Sequence, residues 1–516
     1  MEAEVDAKRN KKTTASQKSG GPRKADVRPA NDILDECEAS FLAAQEHVTK
    51  ASKNYYSDTG LMALLCRHDR VLFIANMTTP GERQFTALAL LKELEEELPT
   101  DWKIGVLYDI ACQLSRSVDK YDLLETLSHR VTWAVSVFHA YGHQWACQLV
   151  FHPRKCKGFG LSDGEGCERF WSAIRRLIPV LRVTGEHRRK FIIDRQIQFL
   201  DSDGIQRMGE WIARRSRECE LRMSDAETKL HALGIEDVTI EREWESQLQV
   251  QLEKLPAQSQ NAGDKVIESV ITTKARVDEI AVELKAQKAK LKKTAGKSTA
   301  RQVYALTNDV AKLEREQATL KAQIKEATST LGASGKVRLE ELRGDAYIRA
   351  RINARALRSK IRAAVVAHKF ERGRLERAYR RHIMDSKEHS QARDVVQRGS
   401  KGIAADVRRF NQLVNQMEVL IREGKAPNRR VTAPQRLDAK KLFRLDVDDS
   451  IWQEDPGLGP QDEGALPRWQ AEQAMQDAII SWLARQRCRE ERERLFQEAS
   501  ALGAYCDEEK NVLLVA

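Results

Sequence analysis

The chain of 516 residues has no run that approaches the roughly 20 consecutive apolar residues needed to cross a bilayer, so a membrane-spanning protein is not expected. Its first residues, MEAEVDAKRNKKTTASQ, lack the apolar stretch of a secretory signal peptide. Aromatic residues are scarce at 6%, whereas charged residues reach 32%, and this balance favours long exposed helices over one large globular core. We therefore expect neither a membrane protein nor a secreted one.

Cysteine pairs at the usual zinc-finger spacing are also absent, because none of the nine cysteines forms a Cys-x-x-Cys motif. Since no signal peptide is expected, the thiols are predicted to be reduced, either free or acting as metal ligands. The net charge of +11 is small for this length, and it permits a nucleic-acid partner without requiring one.

Composition and periodicity divide the chain into segments of different character. The expected order is a disordered basic tail (1–30), a mixed α/β domain (31–200), a helical connector (201–263), a coiled-coil hairpin (264–332), a basic helical region (333–430), an acidic linker (431–468) and a C-terminal helix (469–516). The basic run at residues 8–12 is interpreted either as a nuclear-import signal or as part of a solvated tail.

Strand and helix signals alternate only within 31–200. Apolar runs at 61–66 and 71–76 predict a hairpin around a polar tip at 67–69. The remaining elements expected there are a helix at 86–98, strands at 103–108 and 131–138, and helices at 139–149 and 165–177.

Three acidic residues of this region are candidates for metal-dependent catalysis. Asp109 follows the buried strand, and the carboxyl ends of strands are where α/β sheets present functional groups. Glu165 and Glu168 lie three residues apart and so share one helix face. Such carboxylates can hold two divalent ions about 4 Å apart for phosphodiester chemistry. The structural alternative is that Asp163 caps the helix and the glutamates pair with a nearby arginine such as Arg169.

His139, His143 and Cys147 recur every four residues, which places them on one face of the helix predicted at 139–149. Imidazole and thiolate groups at this spacing are zinc ligands. The fourth ligand would come from one of three other cysteines: Cys66, Cys112 or Cys156. The alternative is a packed helix whose histidines are hydrogen-bonded.

Strand signals almost disappear after residue 200. Apolar residues from Val303 to Leu331 alternate spacings of three and four, which is the pattern of a coiled-coil seam, and a weaker seam precedes it. An antiparallel hairpin with its tip near Gly296 is the simplest geometry, and self-association through the same seams is the alternative. Five arginines of the next helix are candidate contacts to a DNA backbone or members of a solvated face: Arg349, Arg351, Arg355, Arg358 and Arg362.

Four ordered blocks resemble the KDZ (Kyakuja-Dileera-Zisupton) transposases of fungal mobile elements. The blocks are TGLMALLCRHD at 59–69, LYDIAC at 107–112, FHAYGHQW at 138–145 and GLSDGEGCERFWS at 160–172. The Arg-rich helix and LDVDDSIW at 445–452 also resemble the tail of that family. The resemblance implies a ribonuclease-H-like domain that cuts and rejoins DNA with acidic residues and Mg²⁺. In it, Asp109 matches the second acidic residue and Glu165 or Glu168 the third, with Asp109 and Glu165 as the Mg²⁺ ligands.

The same resemblance exposes a departure. In the family, a first strand carrying the first catalytic aspartate precedes the segment that begins here near residue 32, and it lies at the centre of the sheet. A basic tail takes its place here, and Asp35 does not resemble a substitute. The prediction is a mixed α+β and α chain, in which a partial ribonuclease-H-like domain precedes an all-α region. It would be a truncated, inactive nuclear transposase, or alternatively a non-catalytic nuclear coiled-coil protein that binds DNA or other partners.

Overall fold

A computed structural model gives the structure of two units. The first comprises Met1–Glu253 and Leu466–Ala516, and the second comprises Lys254–Ala465. The described residues are 1–14, 58–78, 83–140, 142–252, 262–294, 300–379, 386–426, 433–442 and 467–515, with the isolated positions 28, 29, 31, 33–35, 37, 38 and 451. Among these residues, no helix combines the length and the apolar character that a bilayer crossing needs.

The first unit is a mixed α+β structure in which helices predominate. Its elements up to residue 181 are α1 (Glu2–Thr14), β1 (Gly60–Leu65), β2 (Val71–Met77), α2 (Gln84–Glu97), β3 (Ile104–Leu107), α3 (Ala111–Tyr121), β4 (Val131–Ala134), α4 (Val137–Ala140), α5 (Trp145–Phe151), α6 (Gly166–Ile174) and α7 (Ile178–Leu181). Three longer helices follow, α8 (Glu186–Gln206), α9 (Met208–Leu233) and α10 (Asp237–Leu252).

The strands of this unit form two separate two-stranded sheets. β1 and β2 pair antiparallel with Met62 opposite Ala75, which confirms the predicted hairpin. β3 and β4 pair in parallel with Leu107 opposite Ala134, and α3 makes the crossover that a parallel pair requires. Within the described residues, no strand pairs with members of both sheets.

One apolar core joins the two sheets. Met62 of β1 and Val106 of β3 belong to the same cluster of buried side chains as Leu88 of α2 and Leu114 of α3. Val5 of α1 is 3% exposed and packs into this cluster as well. The prediction of a disordered tail is therefore wrong for Glu2–Thr14, because an apolar side chain anchors this basic segment as a helix.

Two further sequence predictions differ from the structure after β4. The strand expected at 131–138 ends at Ala134, and residues 137–140 form the short helix α4. The single helix expected at 139–149 is divided into α4 and α5 by a loop that contains Gly142 and His143. The division matters because His139 and His143 no longer share a helix face.

The chain returns to the first unit through α17 (Arg468–Ala471) and α18 (Gln473–Val515), and α18 packs along α9. Glu491 of α18 has a side chain that is 0% exposed. Its Oε1 accepts hydrogen bonds from Arg67 at 2.6 Å and Arg215 at 3.2 Å, and its Oε2 accepts one from the Leu161 backbone N–H at 3.0 Å. One carboxylate thus connects the tip of the β1–β2 hairpin, α9 and the loop that leads to α6.

Neighbouring residues of α18 hold the same loop. Glu490 accepts the backbone N–H groups of Gly158 and Gly160 at 2.9 and 3.1 Å. Arg494 donates to the carbonyl oxygens of Gly158 and Phe159 at 2.6 and 3.2 Å. The C-terminal helix is therefore an integral part of the first unit.

Helices make up most of the described residues of the second unit, and 433–438 are among the non-helical ones. Its helices are α11 (Ala262–Thr294), α12 (Ala300–Ser329), α13 (Ala333–Gly344), α14 (Ala346–Tyr379), α15 (Ser386–Arg422) and α16 (Ala439–Leu442). α11 and α12 pack antiparallel, with Ile280 and Leu284 against Val310, and Lys288 pairs with Glu314 at 2.6 Å. The predicted tip near Gly296 lies outside the described residues.

Replacing Glu491 should destabilise the first unit strongly. In Glu491→Gln, the Arg67 and Arg215 guanidinium groups lose the buried negative charge between them, which is expected to cost about 3–5 kcal/mol of unfolding free energy. Glu493→Gln, on the exposed side of the same helix, should cost less than about 0.5 kcal/mol. Urea unfolding of the two variants measures the difference, and equal stabilities would contradict the central role of Glu491.

The stability of the first unit should also depend on pH through His68. Burial acts to lower the pKa of His68, but its contacts with Cys66 and Glu498 raise it from 6.5 to about 9. The stabilising contribution is complete below pH 6.5 and is lost as pH rises through about 9, at a cost of about 1–3 kcal/mol. His68→Gln should flatten the unfolding free energy over this range, whereas an unchanged pH profile would show that the ion pair with Glu498 contributes nothing.

Candidate functional site

Asp109 follows β3 directly, and residues from the end of β4 engage its carboxylate. Ser136 Oγ donates a hydrogen bond of 2.7 Å to Asp109 Oδ1, and Nδ1 of His139 forms an ion pair with the same oxygen. The Asp109 side chain remains 41% exposed. Because β3 and β4 run in parallel, the residues that follow each strand meet at one edge of the sheet, as the position of Asp109 predicted.

Glu165 reaches the same edge through a turn that depends on glycine. Gly164 has a φ of +76°, and a Cβ at this position would lie 2.8 Å from the Cβ of Ser136 and 3.0 Å from that of Leu107. The backbone of the turn therefore rests directly on the ends of β3 and β4. In this position Glu165 Oε1 accepts the Phe138 backbone N–H at 2.8 Å.

The charges of this edge act on one another. Burial acts to lower the pKa of His139, but its hydrogen bond to Asp109 and the charges of Asp109, Glu165 and Glu168 raise it above its usual value. Burial raises the pKa of Glu165, while the Phe138 N–H and His139 act in the opposite direction. His139 thus lies among the carboxylates of Asp109, Glu165 and Glu168, and such mutually shifted groups are typical of functional sites.

The arginine predicted as an alternative partner of the glutamates is used elsewhere. Arg169 bonds to Asp69 and, at 2.9 Å, to Asp163. Asp163 also accepts the Glu165 backbone N–H at 3.0 Å, but this bond precedes α6, whose N-cap residue is Glu165 and which has no side-chain cap, so the predicted capping role of Asp163 is wrong. Glu168 is half-buried in the first turn of α6.

A second cluster lies behind Asp109. The ligand atoms of Cys37, His143 and Cys147 all lie within 4.8 Å of one another, a Cys/His/Cys set that can bind a metal such as zinc. Cys112 Sγ is 3.5 Å from His143 Nδ1, and Cys147 Sγ is 3.4 Å from it. Of the sequence-predicted zinc set, His143 and Cys147 come together here, whereas the structure places His139 on Asp109.

The contacts within this cluster shift the pKa values of its members in different directions. Hydrogen bonds from Cys112 and Cys147 lower the pKa of Cys37 far below its usual value. Burial acts to lower the pKa of His143, but its bonds to Cys112 and Cys37 raise it to about 10. Burial raises the pKa of the Cys147 thiol.

Residues 2–201 match the family model described as Kyakuja-Dileera-Zisupton (KDZ) transposase. No curated protein matches the chain, and no solved structure matches it. The matched segment contains both the acidic edge and the cysteine cluster. It also includes α1, so the similarity to the KDZ family extends over the segment that the sequence analysis treated as a tail.

The arginines proposed as DNA contacts lie outside the matched segment, in α14, and most of them contact the protein itself. Arg358 is 3% exposed, Arg355 is paired with Glu268, and Arg362 donates to the Ile451 carbonyl oxygen. Burial lowers the pKa of Arg351. Arg349 alone of the five is exposed, and contact of this face with a phosphate backbone, one of the two alternatives drawn from the sequence, stays a prediction.

Three residues that matter to these sites were not singled out by the sequence. Cys37 has no spacing relation to His143 and Cys147, so only the fold brings it to them. Ser136 is 1% exposed and is the one polar residue between β4 and α4, a signal that could have marked it. Glu491 lies more than 300 residues from the loop that it holds, as the separation of 330 residues from Leu161 shows.

A methyl group at Gly164 should disrupt the acidic edge. The turn requires a left-handed backbone at position 164, which an alanine disfavours. In Gly164→Ala the new methyl group also overlaps with Ser136 and Leu107, so we expect a cost of about 2–4 kcal/mol in unfolding free energy. Gly185→Ala is the matched control, because a Cβ there meets no atom within 4 Å. Urea unfolding compares the two variants, and a loss below about 1 kcal/mol in Gly164→Ala would contradict the close contact described above.

Proposed function

We propose that the first unit is a KDZ-transposase-like DNA-processing domain of ribonuclease-H-like type. Its metal-binding edge contains Asp109 and Glu165. The observation that carries the proposal is the convergence of Asp109 and Glu165 on the Ser136–His139 segment, within a segment that matches the KDZ transposase model. Glu168 is the nearest further carboxylate on α6.

The donor set at this edge suits a divalent ion such as Mg²⁺, because that ion prefers one or two carboxylates together with water. Asp109 is partly exposed, and Glu165 keeps one oxygen that is not bonded to Phe138. When bound, Mg²⁺ would stabilise negative charge on the attacking and leaving oxygens of a phosphodiester. Ser136 and the Phe138 N–H would hold the two carboxylates in place.

The proposal includes weak or absent DNA cleavage by this chain. Two separate sheets stand where a ribonuclease-H-like order requires one sheet with a central strand. Within the described residues, no further strand joins the β1–β2 sheet to the β3–β4 sheet and could present another aspartate. In addition, His139 occupies Asp109 Oδ1, so a metal ion must displace it. These features also favour the second candidate, a non-catalytic protein that binds DNA and acts in the nucleus.

Lys8, in the basic run at residues 8–12, is already engaged within the protein, since it donates to the Asp122 carbonyl oxygen at 2.7 Å and pairs with Glu125 at 2.9 Å. The basic run is thus weak support for a nuclear-import signal. A nuclear location stays part of the proposal because of the similarity to the KDZ transposase family. DNA binding is likewise proposed on the family similarity, not on the arginines of α14.

Divalent-ion binding tests the proposed edge directly. Titration calorimetry with Mn²⁺ on the full chain should detect a site that Asp109→Asn and Glu165→Gln each remove. His139→Ala should bind Mn²⁺ about 3- to 30-fold more tightly, because it frees Asp109 Oδ1. Asp101→Asn, an exposed carboxylate outside the edge, is the control and should bind as the unaltered chain does.

Nicking of supercoiled DNA with Mg²⁺ or Mn²⁺ separates the two candidate functions. We expect no nicking above that of the Asp109→Asn variant. Nicking that depends on both Asp109 and Glu165 would show a working enzyme and contradict the inactive part of the proposal. Mn²⁺ binding that survives both substitutions would contradict the metal-binding edge itself.

A further inference from the structure

Four metal-ligating side chains from three separate parts of the chain converge beneath Asp109. Cys37 comes from a helical segment near the N-terminus, Cys112 from the first turn of α3, His143 from the loop before α5, and Cys147 from the first turn of α5. All three cysteines are buried, with 5%, 1% and 0% of their surfaces exposed for Cys37, Cys112 and Cys147. None is in a disulfide.

The two sulfur–nitrogen distances at His143 match those of a tetrahedral zinc site. Zinc–sulfur and zinc–nitrogen bonds of about 2.3 and 2.0–2.1 Å place sulfur and nitrogen about 3.6 Å apart on a tetrahedron. His143 Nδ1 lies 3.5 Å from Cys112 Sγ and 3.4 Å from Cys147 Sγ. Cys37 Sγ lies within 4.8 Å of the ligand atoms of His143 and Cys147, and Cys112 Sγ adjoins this group through its 3.5 Å approach to His143 Nδ1.

The surroundings of the cluster fit a metal thiolate. The backbone N–H of Gln144 points to Cys37 Sγ at 3.5 Å, as a donor to a coordinated sulfur would. His143 presents Nδ1 to the cysteines and Nε2 to the Asp109 carbonyl oxygen at 2.9 Å. Coordination at Nδ1 leaves the ring proton on Nε2, which is the atom that must donate this bond.

We propose that Cys37, Cys112, His143 and Cys147 form a closed Cys₃His zinc site whose role is to position Asp109. Four protein ligands complete the tetrahedron and leave no open position for a substrate, so the metal is structural. It tethers the chain on both sides of the candidate acid. His143 holds the carbonyl group of Asp109, and Cys112 holds the first turn of α3 three residues later. The zinc site itself does not depend on the proposed DNA-processing function.

Metal content and coordination test the site in the full chain. Protein purified without chelators should contain about one zinc per chain, and X-ray absorption at the zinc edge should show three sulfur ligands and one nitrogen. Substitution of a ligand, as in Cys37→Ser, Cys112→Ser or Cys147→Ser, should lower zinc affinity at least about 100-fold. Cys167→Ser and Cys506→Ser are the controls and should retain zinc.

The proposed zinc site would be contradicted if the unaltered chain took up no zinc, or if its zinc had fewer than three sulfur ligands. Equal zinc content in the ligand and control variants, or a disulfide among the three cysteines, would contradict it as well. Because the absorption measurement uses the unaltered chain, it decides the question even if a ligand variant fails to fold.

Hydrogen exchange tests the positioning of Asp109. Removal of zinc by a chelator should accelerate amide exchange at residues 107–114 about tenfold or more, while α11 in the second unit is unaffected. His143→Cys keeps a fourth ligand but lacks the Nε2 donor, so it should retain zinc and still exchange faster at 107–114. Zinc that leaves without any change in exchange there would show a metal site with no hold on Asp109.

Discussion

The buried carboxylate of Glu491 holds the acidic edge in place from the far end of the chain. It accepts hydrogen bonds from Arg67 in the hairpin tip, Arg215 in α9 and the Leu161 backbone. A charge with no exposed surface is stable only when cations and N–H groups surround it, so these partners cannot separate independently. The loop that it fixes leads through Gly164 to Glu165, and the C-terminal helix thereby sets the position of a candidate metal ligand.

Asp109 is held from the opposite side by the cysteine cluster. Its carboxylate faces Ser136 and His139, and its carbonyl oxygen faces His143. The two histidines lie only four residues apart, yet the loop between α4 and α5 directs one to the acid and the other to the thiols. A helix break therefore converts one sequence pattern into two sites with different chemistry, one of carboxylates and one of thiolates.

Local patterns predicted the local elements well. The apolar runs around 67–69 form the β1–β2 hairpin. The helix α2, which ends before Pro99, and the strand β3, which precedes Asp109, lie close to their expected bounds. Asp109 and Glu165 were predicted as one site from strand-end position and helix spacing, and their contacts with Ser136 and Phe138 bring them to one edge. The prediction of one continuous helix at 139–149 was wrong, because residues that recur every four positions across Gly142 do not reveal that the helix is interrupted there.

Contacts between distant segments could not be predicted in the same way. Cys37 reaches His143, and Glu491 reaches Leu161, only through tertiary folding, and neither pair has a sequence spacing that marks it. The partners of the arginines of α14 could not be predicted for a related reason. Periodicity shows that arginines share a face, but it does not show that Glu268 and the Ile451 carbonyl lie opposite them.

The most direct test of the account is a crystal structure of the full chain soaked with Mn²⁺, with anomalous scattering measured at the manganese edge. A manganese peak should lie within coordination distance of both the Asp109 and the Glu165 carboxylates, with His139 displaced from Asp109. Manganese bound elsewhere, or carboxylates too far apart to share one ion, would contradict the assignment of this edge as a metal-binding site.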